Sequence, residues 1–295
     1  MRPFIKWAGG KSKLLKELCS RMPGEMRTYA EPFSGGAALF FAIADQTEIY
    51  ARKFDRAILA DRNIELVITY NAIKNDVDGV IRELADYKYD RDLFYATREK
   101  DPTTLTDAAR AARLIFLNRT CFNGLWRVNS KGKFNVPFGR YKNPTICDAD
   151  ALRAASGALA RAEIRHADFA EVTRDLGNGD FVYFDPPYAP VSDTADFTAY
   201  AAGGFGPGEQ IRLTDEMRAL RDRGAFVMLS NADTAQTRAL YKEFSITVVA
   251  VARSINSDPS KRGDAAEVIV TSWGEPGTIE EKTPTATRSA LQHGA

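Results

Sequence analysis

The sequence predicts an α/β fold with a mostly parallel sheet and an inserted, mainly helical subdomain. Short apolar runs rich in Val and Ile are typical of strands, and stretches with helical periodicity lie between many of them. Strands are expected at residues 28–30, 57–60, 181–184, 225–229, 246–251 and 267–271. Helices are expected at residues 37–44, 66–73, 149–160, 208–223 and 234–241. Alternation of this kind indicates helices packed on a mostly parallel sheet.

Polar loops follow four of the expected strands. The first strand leads into residues 31–36 (Glu-Pro-Phe-Ser-Gly-Gly), the second into Asp61, the third into residues 185–188 (Asp-Pro-Pro-Tyr) and the fourth into Ser230. Ligands of open α/β sheets bind beyond the carboxyl ends of the strands. We therefore expect the functional site where these loops meet.

The inserted subdomain is expected at residues 63–144, where the alternation stops. No Asp or Glu occurs from Ala108 to Cys147, although the whole chain carries 40 basic and 39 acidic residues. The basic residues of this block are Arg110, Arg113, Arg119, Arg127, Lys131, Lys133, Arg140 and Lys142. A local basic block is typical of contact with a polyanion, and a solvated basic face explains the charge alone equally well.

Composition disfavours several classes of protein. The three cysteines are scattered, without the spacing of a disulfide framework or a metal site. The longest apolar run, residues 37–44, is too short to span a bilayer, and the N-terminus lacks the apolar core of a signal peptide. We expect a cytoplasmic protein without a metal. The tail, residues 276–295, is rich in Thr, Glu and Pro and is expected to be disordered.

Residues 6–12 (Lys-Trp-Ala-Gly-Gly-Lys-Ser) form the first motif. Gly-Lys-Ser is also the end of a phosphate-binding loop, but that loop requires a glycine where this chain has Ile5. A glycine pair flanked by lysines and a tryptophan suits a small charged ligand. A plain N-terminal turn is the simpler interpretation of these residues taken alone.

Residues 31–36 form the second motif, between an expected strand and a helix. Glycines at such a turn allow close approach of the backbone to a ligand. The dinucleotide pattern Gly-x-Gly-x-x-Gly is absent, so a pyrophosphate is not favoured. Asp61 ends the next strand, where an acidic side chain can accept hydrogen bonds from ribose hydroxyls. These features fit S-adenosylmethionine; a structural turn with a helix-capping Asp is the alternative.

Asp185, Pro186, Pro187 and Tyr188 form the third and most specific motif. An adenine amine is a weak nucleophile because its lone pair is delocalised into the ring. Acceptors such as the Asp185 carboxylate and the Pro186 carbonyl, aimed at its two hydrogens, would localise that pair. The prolines fix the backbone, and Tyr188 offers a face for a base. The alternative is a rigid turn.

Residues 117–141 form the fourth motif, in which aromatic, amide and arginine side chains alternate without an acid. Arginine and asparagine read base edges and phosphates, and aromatic rings wedge between bases. A base in a duplex must be flipped out before its amine can react, and Phe122 is the candidate to fill the gap. An ordinary basic hairpin with core aromatics is the alternative.

These four motifs, in this order, closely resemble those of the Dam family of DNA adenine N6-methyltransferases. The likeness continues through residues 188–190, 197–200, 229–231 and 253–255, and reaches about Trp273. The resemblance implies a Rossmann-like, S-adenosylmethionine-dependent methyltransferase domain from residues 1–62 and 145–275. It also implies that the insertion at 63–144 is a target-recognition domain that binds double-stranded DNA, with GATC as its site.

The resemblance assigns roles to individual residues. The expected cofactor-site residues are Trp7, Lys11, Phe33, Gly35, Asp61, Phe169 and Asp185. The expected catalytic residues are Asp185, Pro186 and Tyr188. The expected DNA-binding residues, including those of the fourth motif, are Lys6, Arg119, Phe122, Asn123, Leu125, Arg127, Pro137 and Tyr141. Trp126 stands where Dam has the smaller Cys.

The sequence also bears on other methyl acceptors and on a role without catalysis. Cytosine C5 transfer uses a cysteine after proline, and no Pro-Cys occurs in the chain. Cytosine N4 enzymes usually carry Ser, and glutamine methyltransferases Asn, in place of Asp185. A sequence-specific DNA-binding protein without activity is the alternative of another class. We expect a monomer associated with the nucleoid. The sequence leaves open whether it works alone or beside a separate restriction endonuclease.

Overall fold

The computed structural model describes residues 1–45, 49–188, 205–251 and 265–282. These residues fall into two units. The first contains Met1–Asp185 and Leu220–Phe226, and the second contains the described parts of Pro186–Ala219 and Val227–Ala295. Residues 189–190, 197–200 and 253–255, which carry part of the resemblance, lie outside the described residues.

Four parallel strands form the sheet of the first unit: β1 (Glu25–Glu31), β2 (Lys53–Asp61), β3 (Ala162–His166) and β4 (Phe181–Phe184). Their order is β3-β2-β1-β4. Glu31 is in register with Leu59, and Asp61 with His166. β4 is buried along its whole length, as expected of a parallel strand covered on both faces.

Seven helices of the first unit are described: α1 (Leu15–Arg21), α2 (Ala38–Ala44), α3 (Ile64–Ala85), α4 (Arg91–Glu99), α5 (Asp107–Thr120), α6 (Ala149–Leu159) and α7 (Phe169–Thr173). Several begin at a polar side chain that accepts a hydrogen bond from the first turn, which is the usual way to satisfy a free backbone N–H. Asn63 caps α3, Thr106 caps α5 and Asp168 caps α7.

The core of the first unit is rich in aromatic side chains. Tyr29 of β1 stacks on Phe181 of β4 with ring centroids 5.9 Å apart, and it also contacts Phe40 of α2. Tyr29, Phe40 and Phe181 are completely buried. These rings attach α2 to the sheet and so hold the loop between β1 and α2, which carries the second motif.

The insertion consists of helices followed by a hairpin. Helices α3 and α5 pack on each other, and residues 121–141, here called the basic hairpin, follow α5. The hairpin is closed by bridges between Cys121 and Phe138 and between Val128 and Phe134. The insertion belongs to the first unit and does not separate from it as a unit of its own.

Four described strands and two described helices lie in the second unit, apart from Leu220–Asp222 and Phe226, which belong to the first. They are α8 (Pro207–Asp222), β5 (Phe226–Ala232), α9 (Ala235–Leu240), β6 (Ser245–Val251), β7 (Ala265–Thr271) and β8 (Ile279–Lys282). β7 pairs antiparallel with β5 and β6, and β8 pairs parallel with β6. β8 lies in the stretch expected to be disordered, so that expectation is wrong for residues 279–282. Residues 283–295 lie outside the described residues.

Candidate active site

The carboxyl ends of three neighbouring strands of the first unit each carry an acidic residue. Glu31 is the last residue of β1, Asp61 is the last residue of β2, and Asp185 directly follows β4. β1 pairs in parallel with both β2 and β4. The three carboxyl groups therefore lie at one edge of the sheet, where the sequence predicts the site.

Lys11 and Asp185 form a partly buried ion pair at this edge. The Lys11 Nζ atom lies 2.7 Å from Asp185 Oδ1, and the Lys11 side chain is 6% exposed. The ammonium group also donates a hydrogen bond to the Gly9 carbonyl. The first and third motifs thus meet, and a fixed cation orients the carboxylate of Asp185.

Glu31 is a buried carboxyl group that the sequence analysis does not assign to the site. The Tyr29 hydroxyl donates a hydrogen bond to Glu31 Oε2 at 2.7 Å. Burial raises the pKa of Glu31 to about 8, and the nearby Asp185 charge adds to this, whereas Tyr29, the Phe40 amide and Lys11 act in the opposite direction. Glu31 is therefore mostly protonated at neutral pH. The available sequence signal is an acidic residue directly after the expected strand at residues 28–30.

Gly35 and Gly36 permit a close approach, and in this structure the approach is to Trp7. A Cβ atom at Gly35 would lie 2.8 Å from Trp7 Cδ1, and one at Gly36 would lie 3.1 Å from Trp7 Cβ. Gly35 has a φ of +46°, a left-handed conformation that glycine adopts readily. The structure thus brings together Trp7 and Gly35, two of the expected cofactor-site residues.

Asp61 joins the loop of the second motif to the start of α3. Its Oδ2 atom accepts a hydrogen bond from the Gly35 amide at 3.0 Å, and its Oδ1 atom accepts one from the Asn63 amide at 2.8 Å. Burial raises the pKa of Asp61 against the effect of these donors. The Tyr70 hydroxyl donates to the Gly35 carbonyl at 2.6 Å. The Asp61 carboxylate thus lies at the end of β2, where it could also accept a hydrogen bond from a ligand hydroxyl.

Phe33 and Phe169 form an aromatic pair beside the same strand ends. Their centroids are 5.5 Å apart with an interplanar angle of 30°, and Phe184 packs edge-on against both rings. Phe169 is the first residue of α7 and is buried. The third expected strand end and the second motif therefore contribute to one apolar surface.

In the second unit, hydrogen bonds fix the residues that follow Asp185. The Gln210 side chain donates to the Pro187 carbonyl at 3.1 Å, and Asn231 donates to Gln210 Oε1 at 3.3 Å. The Tyr188 hydroxyl donates to Glu267 Oε2 at 2.6 Å. Gln210 and Glu267 were not singled out by sequence, because each supports a loop from a distant part of the chain.

Pro186 is buried and Pro187 is exposed. Neither has a backbone N–H, so their carbonyl groups are the only backbone polar groups they offer. The Pro187 carbonyl is bonded to Gln210, which holds the turn in place. The Tyr188 side chain is anchored through its hydroxyl group, which donates a hydrogen bond to Glu267.

The N-terminal segment is attached to the basic hairpin through Asn118, which is completely buried. Its Oδ1 atom accepts a hydrogen bond from the Lys6 amide at 2.9 Å, and its Nδ2 atom donates to the carbonyls of Lys6 and Gly124 at 2.7 and 3.0 Å. Lys6 Nζ lies 5.1 Å from the centroid of the Tyr141 ring. Lys6 and Tyr141, two expected DNA-binding residues, are therefore neighbours.

Apolar side chains are exposed along the hairpin, beside positive charge. Phe122 is 50% exposed, Val128 45% and Leu125 39%. Arg127 donates a hydrogen bond to Asn135 Oδ1 at 2.8 Å, and the Pro137 carbonyl accepts one from the Phe122 amide. Exposed cations of the block are Arg127, Lys131, Lys133, Arg140 and Lys142. Asn123 is exposed, with a left-handed φ of +56°.

The other arginines of the basic block have internal partners. Arg110 pairs with Glu65, and Arg113 donates to the carbonyls of Thr97 and Arg98. Arg119 donates to the Phe4 carbonyl at 2.6 Å, and burial lowers its pKa. This bond gives Arg119 a structural role, so its DNA contact remains a prediction from sequence.

The described residues form neither a metal site nor a membrane-spanning helix. Among them, no cluster of His, Cys, Asp and Glu side chains is arranged to hold a metal ion. No described helix combines the length and the apolar character needed to cross a bilayer. Burial raises the pKa of the Cys19 and Cys121 thiols to about 11, so neither is poised as a nucleophile.

Comparison with known proteins gives relatives over nearly the whole chain. The type II methyltransferase M1.LlaDCHI of Lactococcus lactis subsp. cremoris is 39% identical over 93% of this chain and 96% of its own length. The type II methyltransferase M.MjaIII of Methanocaldococcus jannaschii is also 39% identical, over 90% and 96%. The DNA adenine methylase of Escherichia coli strain K12 is 36% identical, over 91% and 94%.

The family comparison covers both the strand-end site and the basic hairpin. Residues 7–255 match the family described as D12 class N6 adenine-specific DNA methyltransferase. The match begins at Trp7 and includes Lys11, Asp61 and Asp185. The chain therefore belongs to the D12 class of N6 adenine-specific DNA methyltransferases, and it is an enzyme that transfers methyl from S-adenosylmethionine to adenine in DNA.

Proposed function

We propose that the chain methylates adenine within GATC sites of double-stranded DNA, with Asp185 at the centre of the reaction. The observation that carries this proposal is the ion pair between Lys11 and Asp185 at the carboxyl ends of the parallel strands. It fixes the one carboxylate of the third motif, and it adjoins the buried Glu31. The sequence resemblance supplies the GATC site.

The residues at the strand ends fit S-adenosylmethionine. Asp61 can accept hydrogen bonds from ribose hydroxyls at the end of β2, and the partly exposed ring of Phe33, which packs on the buried Phe169, offers an apolar surface for an adenine ring. Trp7 and Lys11 border the same loops. The cofactor, when bound, supplies an activated methyl group for direct transfer. No covalent link to the protein is required.

Asp185 and Pro186 prepare the target amine. A carboxylate and a carbonyl that accept its two hydrogens favour a localised lone pair on the nitrogen. Lys11 holds the Asp185 carboxylate in one orientation, so less reorganisation is needed when the amine arrives. Tyr188, oriented by its bond to Glu267, presents a ring on which the adenine can stack.

The basic hairpin is the proposed DNA-reading element. Its exposed cations can contact phosphates, which position a protein on DNA. Lys6, Leu125, Arg127, Pro137 and Tyr141 are the residues proposed to read the site, with Asn123 beside them. Phe122 projects from the hairpin and has the size to fill the gap left by a flipped adenine. We propose a monomer that acts on DNA at the nucleoid.

A second candidate is the same reaction at another sequence, as part of a restriction–modification system. Two relatives with 39% identity are named type II methyltransferases. Trp126, which stands among the proposed reading residues, is larger than the residue of the Dam family. This candidate changes the recognition site and adds a separate endonuclease, but leaves the chemistry at Asp185 the same.

Sequencing of methylated plasmid DNA tests the proposal. Unmethylated plasmid would be incubated with the protein and S-adenosylmethionine, and modified adenines mapped by single-molecule sequencing. Modification confined to GATC supports the proposal, and modification at another sequence rejects GATC and favours the second candidate. No modification, with cofactor binding verified by a thermal shift, contradicts the proposed activity.

Asp185→Ala tests the catalytic assignment. The variant should lose methylation and keep DNA binding. Asp175→Ala removes an exposed carboxylate just before β4 and serves as the matched control. Equal activity of the Asp185 variant and the control would reject the role of Asp185.

A further inference from the structure

Trp126 of the basic hairpin stacks on Trp7 of the N-terminal segment. The ring centroids are 6.0 Å apart and the planes differ by 23°. The Trp126 ring also packs on Phe134, with centroids 4.8 Å apart. Trp126 therefore connects the second arm of the hairpin with a residue of the first motif.

The same Trp7 indole packs on the loop after β1. Its Cδ1 and Nε1 atoms are so close to Gly35 that a Cβ there would lie 2.8 and 3.2 Å from them. The Gly35 amide in turn donates a hydrogen bond to Asp61, and the Gly35 carbonyl accepts one from the Tyr70 hydroxyl. A displacement of the Trp7 ring would therefore change the packing against Gly35 and the position of the loop proposed to hold the cofactor.

The backbone on both sides of this stack is already fixed by Asn118. Its amide group binds the N–H and C=O of Lys6, next to Trp7, and the carbonyl of Gly124, two residues before Trp126. These hydrogen bonds do not fix the orientation of the Trp7 side chain. The contact that faces it from the hairpin is the indole of Trp126.

We propose that Trp126 is a positioning residue for the cofactor site, and that it couples DNA binding at the hairpin to cofactor binding at the strand ends. This inference rests on the proposed function. An aromatic pair that holds Trp7 in place would be lost in Trp126→Ala. The strength of such pairs predicts cofactor affinity about 2- to 12-fold weaker. Because DNA on the hairpin would hold the Trp126 ring against Trp7, DNA should strengthen cofactor binding in the wild type and less so in the variant, and the cofactor should strengthen DNA binding by the same factor.

The test compares four proteins: wild type, Trp126→Ala, Trp126→Phe and Tyr95→Ala. Tyr95→Ala truncates another partly exposed aromatic residue of the insertion, which packs on Phe94 rather than on the N-terminal segment. The dissociation constant for S-adenosylhomocysteine would be measured with and without a duplex that carries the mapped site. KM for S-adenosylmethionine and kcat would be measured in parallel.

The expected result is a higher KM and dissociation constant for Trp126→Ala, with a much smaller change in kcat and a smaller effect of DNA. Trp126→Phe should restore most of the affinity, since it keeps a ring against Trp7, and Tyr95→Ala should match the wild type. A purely structural role would lower stability without this split and without rescue. If Trp126→Ala does not fold, Trp126→Leu replaces it, because leucine keeps an apolar contact with Phe134 but has no ring.

Two outcomes would overturn the inference: unchanged affinity in a folded Trp126→Ala or Trp126→Leu, or an equal loss in Tyr95→Ala. They are distinguishable from failure of the proposed function. A wild type that methylates adenine while the Trp126 variant binds normally rejects this inference alone. A wild type that produces no methyladenine rejects the function first.

Discussion

The ammonium group of Lys11 lies 2.7 Å from the carboxylate of Asp185, although the two residues belong to motifs at opposite ends of the first unit's sequence. Lys11 sits in a short turn, Lys11–Lys13, in which it is buried and Lys13 is exposed. The turn thus contains one buried lysine that pairs with Asp185 and one exposed lysine. This contrast provides a matched pair of variants.

Lys11→Met should lower kcat/KM for DNA methylation about 10- to 150-fold, the value of one charge-assisted hydrogen bond. Without the ammonium group, Asp185 loses the partner that orients it. Lys13→Met is the control and should retain most activity. Initial rates of methylation over a range of DNA concentrations, at saturating S-adenosylmethionine, give kcat/KM, and similar losses in both variants would argue against a specific role for Lys11.

Glu31→Gln should stabilise the fold at alkaline pH more than at acidic pH. The folded pKa of about 8 lies above the ordinary value of 4.5, so as pH rises between these values the unfolded chain releases its proton first. The wild type therefore loses stability across this range, whereas glutamine has no proton to release. Thermal unfolding of both proteins at about pH 5 and about pH 8.5 measures the difference.

The control for this experiment is Glu25→Gln, on the same strand. Glu25 is exposed, and its bond to Lys53 lowers its pKa, so it stays ionised between the two pH values. Its effect on the melting temperature should be the same at both. A Glu31 variant whose advantage does not grow with pH would contradict the raised pKa.

Gly35→Ala should destabilise the protein by about 1–3 kcal/mol and weaken cofactor binding. The alanine backbone would have to adopt a left-handed conformation, and its methyl group would lie 2.8 Å from Trp7 Cδ1. Gly24→Ala is the control, since a Cβ there meets nothing within 4 Å. Chemical denaturation and a cofactor titration give the two readouts. A Gly35 variant as stable as the control would mean that Trp7 moves aside without cost.

Phe122→Ala should reduce methylation of an intact duplex with little effect on stability, because half of the ring is exposed. Stacking against bases is worth about 1–3 kcal/mol, which predicts a loss of about 5- to 150-fold. The loss should shrink when the target adenine is mismatched, since flipping then costs less. An equal loss on both duplexes would show that Phe122 does not assist flipping.

Most of the fold could be predicted from sequence, and the failures have physical causes. β3 was missed because it alternates charged side chains at the edge of the first unit's sheet, where Glu163 and Arg165 pair in solvent. β8 was assigned to a disordered tail because Ile279 is its only apolar residue. Both strands exist through pairing with a neighbour, a long-range effect that periodicity does not report.

Only part of the site could be predicted from sequence, because contacts between side chains are also long-range. Asp61 and Asp185 could be placed because they end strands whose apolar runs are clear. The role of Glu31 could not be predicted, since its burial against Tyr29 arises only in the folded chain. The stack of Trp7 on Trp126 joins residues far apart in the chain. Patterns of local sequence identify strand ends well and side-chain partners poorly.

The exposed apolar side chains of the basic hairpin also affect the free protein. Phe122, Leu125 and Val128 would attract the same surface of a second copy, and the surrounding cations keep two such surfaces apart by repulsion. Salt shortens the range of that repulsion, from about 10 Å at 0.1 M to about 3 Å at 1 M. Off DNA, the colloidal stability of this protein should therefore depend on low ionic strength. The proposed DNA contact would cover the same surface.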